Sequence, residues 1–421
     1  MAHRSVRLLA VGLIIPAAAA VSMLDSCSSS DATAKDHTFE VTVVEGVTRA
    51  VSSSVPKYSE PLFEYEEVLW LNQDYDRPES LLNRVGQTIL GDDGCFYLVD
   101  YGDQRIVVFD SEGEYSHSIG REGEGPGEFR YPSILWIRDG RLAVYDQNMS
   151  RTQIFSTDGT YLTSHSLPLI GGNAHILYPL EDCYVLLGAE LDFSNPEQMK
   201  QLYWGMVVTA DGDTLCRVEA KPWSMGRRIN VPGYNTSTTS MPYYAADSSL
   251  NFHEGFGFLC FCTDEPILRW HGLDGELERE IVVEMEPEPV TDAERRGIQR
   301  SLQRSIDNAT DDRRKAMAEA RKKHADIPNV KTYWSFVMVD DQDYHWLSYH
   351  YDYSLEEDTE QKARFRILSP EGEYLGDTEY PEGYGQVSKG HFVTPREDEE
   401  TGEILQVVYR LVPAAEGFVY P

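Results

Sequence analysis

Four stretches of this 421-residue chain concentrate side chains suited to holding a ligand. Residues 188–203 include Phe193 and Tyr203, and residues 221–250 carry Trp223, Arg227, Arg228, Tyr234, Tyr243 and Tyr244. Residues 349–361 open with Tyr349-His350-Tyr351-Asp352-Tyr353, and the fourth stretch, residues 291–326, is followed by Trp334. Flat aromatic faces with acids and amides nearby suit sugar rings, peptides and other amphipathic ligands. The candidate ligand-face residues are therefore Trp223, Arg227, Arg228, Tyr243, Tyr244, Trp334, Tyr349, Tyr351 and Tyr353. The competing reading is that these rings pack loops onto a scaffold.

Catalytic constellations are not found. There is no Gly-x-Ser-x-Gly elbow. His253-Glu254 lacks the second His that a zinc-peptidase helix places four residues on. Asp340, Asp341 and Asp343 do not have the spacing of a calcium loop and fall where a turn is expected. His345 and His350 lie on opposite faces of a strand, and His175, which would begin an inner strand, is a lone His. Alternation places Cys260 and Cys262 on one face as small buried hydrophobes. No cofactor and no metal are expected.

The amino terminus is an address. Arg4 and Arg7 precede the apolar run Leu8–Met23, too short to span a bilayer comfortably. It ends in Leu24-Asp25-Ser26-Cys27, similar to a bacterial lipobox apart from Asp25. Residues 1–26 read as a signal peptide, Cys27 as the lipidation site and residues 27–37 as a polar tether. The alternative is plain secretion with cleavage after Ala17–Ala20. Either address puts the protein in the cell envelope, periplasmic or on the outer membrane, touching the membrane through its anchor only. If Cys27 is lipidated, five cysteines remain, and one disulfide is possible but not demanded.

Composition narrows the partners. Lys plus Arg number 37 against 70 Asp plus Glu, a net charge of −33. Nucleic acid and anionic lipid both require clustered cations, so neither is expected as a partner. Aromatics at 11 % and 41 % hydrophobic residues supply an ample core.

A repeat supplies the scaffold. Residues 93–115 align without a gap on residues 139–161 at an offset of 46, with identical pairs Asp93/Asp139, Gly94/Gly140, Asp100/Asp146, Arg105/Arg151, Phe109/Phe155, Gly113/Gly159 and Tyr115/Tyr161. Each unit reads turn, strand, loop, strand, turn, strand, with the Asp-Gly and Glu-Gly pairs of tight hairpins. The first turn recurs six times, at residues 93, 139, 181, 254, 342 and 389, and the second five times, at 112, 158, 211, 274 and 371. Six first turns and five second turns describe a ring of four-stranded blades whose last blade is cut open by the termini. Residues 404–411 then supply its third strand and 65–71 its fourth, removing the exposed edge. The expected fold is all-β, a six-bladed β-propeller over residues 38–421, closed by N- and C-terminal strands. Seven blades or two β-sandwiches are the alternatives.

The run Gly120-Arg121-Glu122-Gly123-Glu124-Gly125-Pro126-Gly127-Glu128-Phe129, followed by Pro132, resembles the signature of NHL-type repeats. The chain is similar to six-bladed, TolB-like propeller lipoproteins of bacteria, clearly over residues 82–165 and loosely beyond. The glycine run lacks the helix and the Gly-Lys-Ser/Thr of a phosphate loop, so it reads as a crossing between blades. The resemblance also implies the alternative function, a metal-dependent lactonase- or lyase-type enzyme with its site at the central channel.

Spacing between turns locates the insertions. Strand 2–3 loops of blades three and five are about ten residues longer than those of blades one and two, and the crossings from blade three to four and four to five are long. In a propeller both kinds of connection emerge on one face, which marks it as the functional face. The longest insertion, residues 291–326 between blades four and five, is helical: Thr291-Asp292-Ala293-Glu294 is a capping box, Ile298, Leu302 and Ile306 form one stripe, and a second helix runs from near Thr310 to His324. Its net charge of +3 against an acidic ring and its apolar stripe are expected to hold it down, as a fixed ornament rather than a lid on the channel. The expected function is a non-catalytic, envelope-anchored lipoprotein binding a glycan, peptide or envelope protein on this face.

Overall fold

The computed structural model describes residues 36–420 apart from 75, 167–172, 196–197, 356–360, 382–384 and 398–403. Cys27 and the whole address segment lie outside the described residues, and of residues 173–175, His175 included, only the strand is described.

The fold is a six-bladed β-propeller of six antiparallel four-stranded sheets, two of them enlarged. Blade one is Val85–Leu90, Phe96–Asp100, Arg105–Phe109 and Tyr115–Ile119; blade two is Pro132–Arg138, Arg141–Asp146, Arg151–Ser156 and Tyr161–His165. Blade three is Asn173–Pro179, Cys183–Asp192, Met199–Thr209 and Thr214–Glu219; blade four is Ser248–His253, Gly257–Cys262, Ile267–His271 and Leu277–Glu284. Blade five is Val337–Val339, His345–Ser348, Arg364–Leu368 and Tyr374–Glu379. Blade six takes Gln386–Ser388, His391–Glu397 and Ile404–Pro413 from the chain's end and Phe63–Leu71 from its beginning. That closure pairs Gln406 with Leu71 and Pro413 with Phe63, with one bulge at Val408/Tyr409.

Every turn expected from the repeat is in place, but the two kinds differ. Asp139 (φ 50°) and Gly140 (φ 69°) both take left-handed backbone, the two-residue turn whose twist suits a hairpin. The second kind is wider: Asp110 N–H bonds Glu114 C=O at 2.9 Å, Gly113 sits at φ 82°, and the register slips at Val108/Phe109. The same slip recurs at the second turn of blades two to five. This is a type I turn closed by a glycine bulge.

The repeat's polar pairs hold the crossings. Asp100, fully buried, accepts from the backbone N–H of Asn83, Arg84 and Gly102 and pairs with Arg105 at 3.4 Å. Asp146 does the same for Arg130 and Tyr131, while Arg151 donates to the carbonyls of Gly125 and Glu128. The glycine run is such a crossing. Its amides at Glu124 and Gly125 are taken by Glu128 in the same loop, and a Cβ on Gly120 would stand 2.2 Å from the buried Phe129 ring.

Two additions were not expected. Phe39–Val44 and Val47–Ser53 form a hairpin, and its second strand lies parallel to the outer strand of blade four, pairing Thr48 with Arg279 and Ser53 with Glu284. Residues 57–62 then bond the outer strand of blade five through Tyr374, Leu375 and Asp377. The insertion in blade three is not a loop but an extension of its middle strands, which pair as far as Asp192–Lys200. Onto it is laid a further hairpin, Trp223–Asn230 with Ser237–Ser240.

All five described cysteines are free, and Cys260 and Cys262 are buried as expected, their thiols pushed up to about 12 and about 11 by burial. His345 is fully buried between blades four and five; Trp270 Nε1–H donates to its Nε2 at 3.2 Å, and burial lowers its pKa to about 3.

Candidate functional site

Helix α1 (Asp292–Asp307) starts at the expected capping box: Thr291 Oγ1 accepts from Glu294 N–H at 3.2 Å, and Glu294 accepts from Thr291 N–H at 2.9 Å. Ile298 and Leu302 are buried and Ile306 half-buried, so the stripe faces the protein. Helix α2 is Asp312–Lys323. Neutral acceptors contact the basic helices beside the apolar stripe. Arg295 donates to the carbonyls of Ile327 and Pro328 at 3.2 and 2.6 Å, and Arg321 to Thr238 Oγ1 at 2.8 Å. Those neutral acceptors and the apolar stripe seat the helix pair against the protein.

The four insertions meet. Arg227 donates to His324 Nδ1 at 2.7 Å, joining the blade-three hairpin to the end of α2, and Tyr243 N–H bonds Asp326 C=O at 2.9 Å. Tyr244 donates to Glu294 at 3.1 Å, joining the same crossing to α1. The carbonyl of Tyr353 presses on α1 at Gly297, where a Cβ would stand 1.5 Å from the oxygen. Only glycine allows that approach.

Between α1 and the blade-five loop lies a cavity of about 510 Å³. Its wall includes Glu288, Glu294, Lys331, Tyr349, His350, Tyr351, Asp352, Arg364 and Arg366. Lys331 pairs with the buried Glu294 at 2.7 Å. Burial opposes the charge on Glu294, but hydrogen bonds from Lys331 and Thr291 outweigh it and hold the carboxyl below its usual range. Tyr349 donates to Asp377 at 2.7 Å, and its ring carries the guanidinium of Arg366 at 3.9 Å and that of Arg364 at 4.6 Å. Burial raises the Tyr349 phenol to about 12, so it stays a neutral donor. His350 donates from Nε2 to Thr332 C=O at 2.9 Å, and burial lowers its pKa.

Two further hollows adjoin the cavity. Lys331, Thr332 and Tyr333 also line an apolar hollow of about 380 Å³ with Tyr243 and Tyr244, and that hollow shares Ser224 and Pro242 with a third, which reaches Arg227 and His324. The three hollows share wall residues and form a row across the insertions, here the trough. Its first section mixes four cations with four carboxylates: Lys331, Lys362, Arg364 and Arg366 against Glu288, Glu294, Asp352 and Glu379.

Of the expected ligand-face residues, Tyr351 is half-exposed and lines the cavity, as does the half-buried Tyr349; Tyr243 and Tyr244 line the hollow. Tyr353 is spent on packing: its ring meets Tyr243 at 5.4 Å and Tyr244 at 5.9 Å. Arg227 tethers α2, and Arg228 bonds Ser237 within the hairpin, outside the trough. Two expectations are corrected. Trp334 is completely buried in the core between blades four and five, and Trp223, the first residue of the added hairpin, is only 9 % exposed, so neither offers a ring face. Large apolar rings next to a sheet are drawn inside by area burial. Lys331, Glu288, Glu294, Arg364 and Arg366 were not singled out. Arg364 and Arg366 had a signal, since alternation in Arg364-Phe365-Arg366 puts both guanidinium groups on one face. Lys331 and Glu288 had none.

Among the described residues no three His, Cys, Asp or Glu side chains come together as a metal site. The channel's inner strands instead present Gln87, Thr88, Trp136, Phe252, Met338 and Gln386.

Residues 77–209 match the family DUF5128, described as a 6-bladed beta-propeller. No curated protein matches the chain. Among solved structures it is similar to a candidate exported protein of Bacteroides fragilis, at 12 % identity over 86 % of this chain and 99 % of that one, TM-score 0.47. It is also similar to a member of the DUF4221 family from Bacteroides vulgatus, at 12 % identity over 85 % and 100 % of the two chains, TM-score 0.45. A third is virginiamycin B lyase from Staphylococcus aureus, at 10 % identity over 84 % and 89 %, TM-score 0.32.

Proposed function

We propose that this propeller is a non-catalytic binding protein of the bacterial cell envelope. In this reading it is exported by residues 1–26, anchored by lipid on Cys27, and holds an extended glycan or peptide, free or as part of an envelope protein, in the trough across its insertions. One observation carries the binding role: four insertions, separate in sequence, come together to line a row of three adjoining hollows. A row of adjoining hollows suits an oligomer better than one compact molecule. Tyr351 and Tyr349 supply ring faces, and the Tyr349 ring backed by two guanidinium groups is held rigid for contact. Balanced charge along the wall favours an uncharged or zwitterionic chain, and the net charge of −33 disfavours polyanions.

Glycan and peptide arrays probed with the soluble protein test this. A saturable ligand is expected, with binding reduced at least ten-fold by Tyr351→Ala combined with Arg364→Ala. Silence on every array, or a ligand indifferent to that double substitution, refutes the reading. For the anchor, metabolic labelling with a clickable fatty acid should mark the parent chain and not Cys27→Ser.

A further inference from the structure

The N-terminal hairpin leaves one strand edge uncovered. Phe39–Val44 ends the enlarged sheet of blade four on its outer side, and among the described residues no strand pairs with its far edge. The direction of its backbone groups follows from the inner edge. Ser53 N–H donates to Thr38 C=O at 2.9 Å, and Thr38 N–H donates to Ser53 Oγ at 3.0 Å, so Thr38 turns both groups inward. In an antiparallel pair every second residue does the same: Glu40 against Val51, Thr42 against Arg49, Val44 against Val47. Phe39, Val41 and Val43 therefore turn N–H and C=O outward, where they need partners.

The other outer strands are guarded. Those of blades one, two, three, five and six each show a register slip against their neighbour. Such bulges twist an edge away from further pairing. The hairpin pairs without a slip, and its outer strand, Phe-Glu-Val-Thr-Val-Val, has no Lys, Arg, Pro or Gly. Val41, Val43 and Val44 are 50, 69 and 58 % exposed. A regular edge of β-branched residues is a template for one more strand.

This strand is complementary to itself. Laid antiparallel on a second copy about a two-fold axis at Val41, it pairs Val41 with Val41 and Phe39 with Val43. All of these face outward, so each pair exchanges both of its N–H···O bonds. Their side chains share one face and set an aromatic–β-branched pair on either side of the valine pair. Glu40, the strand's one charge, meets Thr42 of the second copy rather than a like charge. Thr42 is itself flanked by Arg49, so carboxylate and guanidinium face each other across it. Moving the axis to Glu40 sets two carboxylates opposite, and moving it to Thr42 leaves Phe39 without its valine.

The net charge of −33 on each copy opposes association. The hairpins act as spacers against it. With two added strands from each copy between them, the outer strands of the two blades four stand about 24 Å apart, well beyond the screening length of about 8 Å at physiological salt.

We propose that Phe39–Val44 is a dimerisation edge, which takes the same strand of a second copy antiparallel across a two-fold axis at Val41. The contact is small and the dimer reversible. It does not rest on ligand binding in the trough.

Sedimentation equilibrium of the purified protein tests the proposal. A concentration-dependent dimer is expected, with a dissociation constant in the micromolar range. Val43→Lys, at the most exposed of the three valines, should weaken it at least ten-fold and leave the urea unfolding midpoint unchanged. Tyr351→Ala should leave dimerisation unchanged. The register is read by oxidative cross-linking: a mixture of Glu40→Cys and Thr42→Cys chains should form a disulfide-linked dimer, at least five-fold more than either variant alone. A chain that stays monomeric at millimolar concentration, a dimer indifferent to Val43→Lys, or a mixture that cross-links no better than its components overturns the proposal. Loss of the dimer through Tyr351→Ala would move the contact to the trough and overturn it equally.

Discussion

Between blades one and two the packing is regular: Tyr97, Val99, Ile106, Val108, Phe129, Ile134, Leu142 and Phe155 interlock, and Asp100 and Asp146 tie down the incoming crossings. Between blades four and five the packing is heavier and less symmetrical. Trp270, Trp334, Phe261 and Tyr374 fill it, Ala50 of the N-terminal hairpin joins it, and His345 is buried against Trp270. The crossing there is tied not by a repeat Asp but by α1, Lys331 and Glu294. The first interface follows the repeat closely. The second has given up the repeat's economy of polar ties, and the trough is built on what replaced them.

The contrast can be broken first at its strongest tie. Asp100→Ala removes the buried acceptor of three part-buried N–H groups and the partner of Arg105. It is expected to cost about 3 kcal/mol in urea unfolding. A loss below about 1 kcal/mol would mean the repeat's polar ties are ornamental.

Gly297→Ala tests the irregular side. Alanine is the better helix former by about 1 kcal/mol, yet its Cβ would collide with the Tyr353 carbonyl. A net loss of about 2 kcal/mol is expected, with weaker trough binding, as overpacking outweighs propensity. Increased stability would show α1 free to shift.

The two interfaces should also respond differently to acid. His345 is held neutral in the fold, with a pKa of about 3, whereas an unfolded His takes a proton near pH 6.5. The unfolded state therefore binds more protons below that pH, and stability falls as pH drops from about 6.5 toward 3. The slope attributable to this residue is about 1 kcal/mol per pH unit. Replacing it by His345→Gln should flatten the slope between pH 6 and 4.5, measured by unfolding at each pH; an unchanged slope places the titration elsewhere. At lower pH, Glu294 protonates in turn. Its folded pKa lies below the unfolded one, so its contribution is present above the unfolded carboxyl range and lost as pH falls through the folded value.

The smallest effect belongs to the surface of the regular side. Arg121 is 79 % exposed in its pairing with Glu128, and Arg121→Ala should change stability by less than about 0.5 kcal/mol. A larger loss would mean that the glycine-run crossing depends on that pair.

The scaffold was legible because it repeats. A turn needs residues that tolerate left-handed backbone, so Asp139-Gly140 or Glu371-Gly372 marks its place whatever the rest of the chain does. Counting such turns yields blades, and an unequal count yields the closure of 404–411 on 65–71. The helical insertion was legible for a similar local reason, since the Thr291–Glu294 box needs no distant partner. The N-terminal hairpin escaped because no turn signal says that an edge strand will lie parallel on blade four. The site was only partly legible. Composition marked the stretches holding Tyr349 and Tyr351, but aromatic identity alone does not separate a ring that faces a ligand from one that fills a core, and Trp334 and Trp223 went inside.

What the amino-acid sequence determined is thus local and periodic: turns, caps, strand alternation and the number of blades, each set by backbone sterics and side-chain type within a few residues. What only the tertiary structure decided is adjacency. Lys331 beside Glu294, Arg366 over Tyr349 and Tyr244 on Glu294 all depend on how stretches far apart in the chain fold back on one another. Burial and pairing energies arise from those neighbours, and neighbours distant in the chain leave no mark on local sequence.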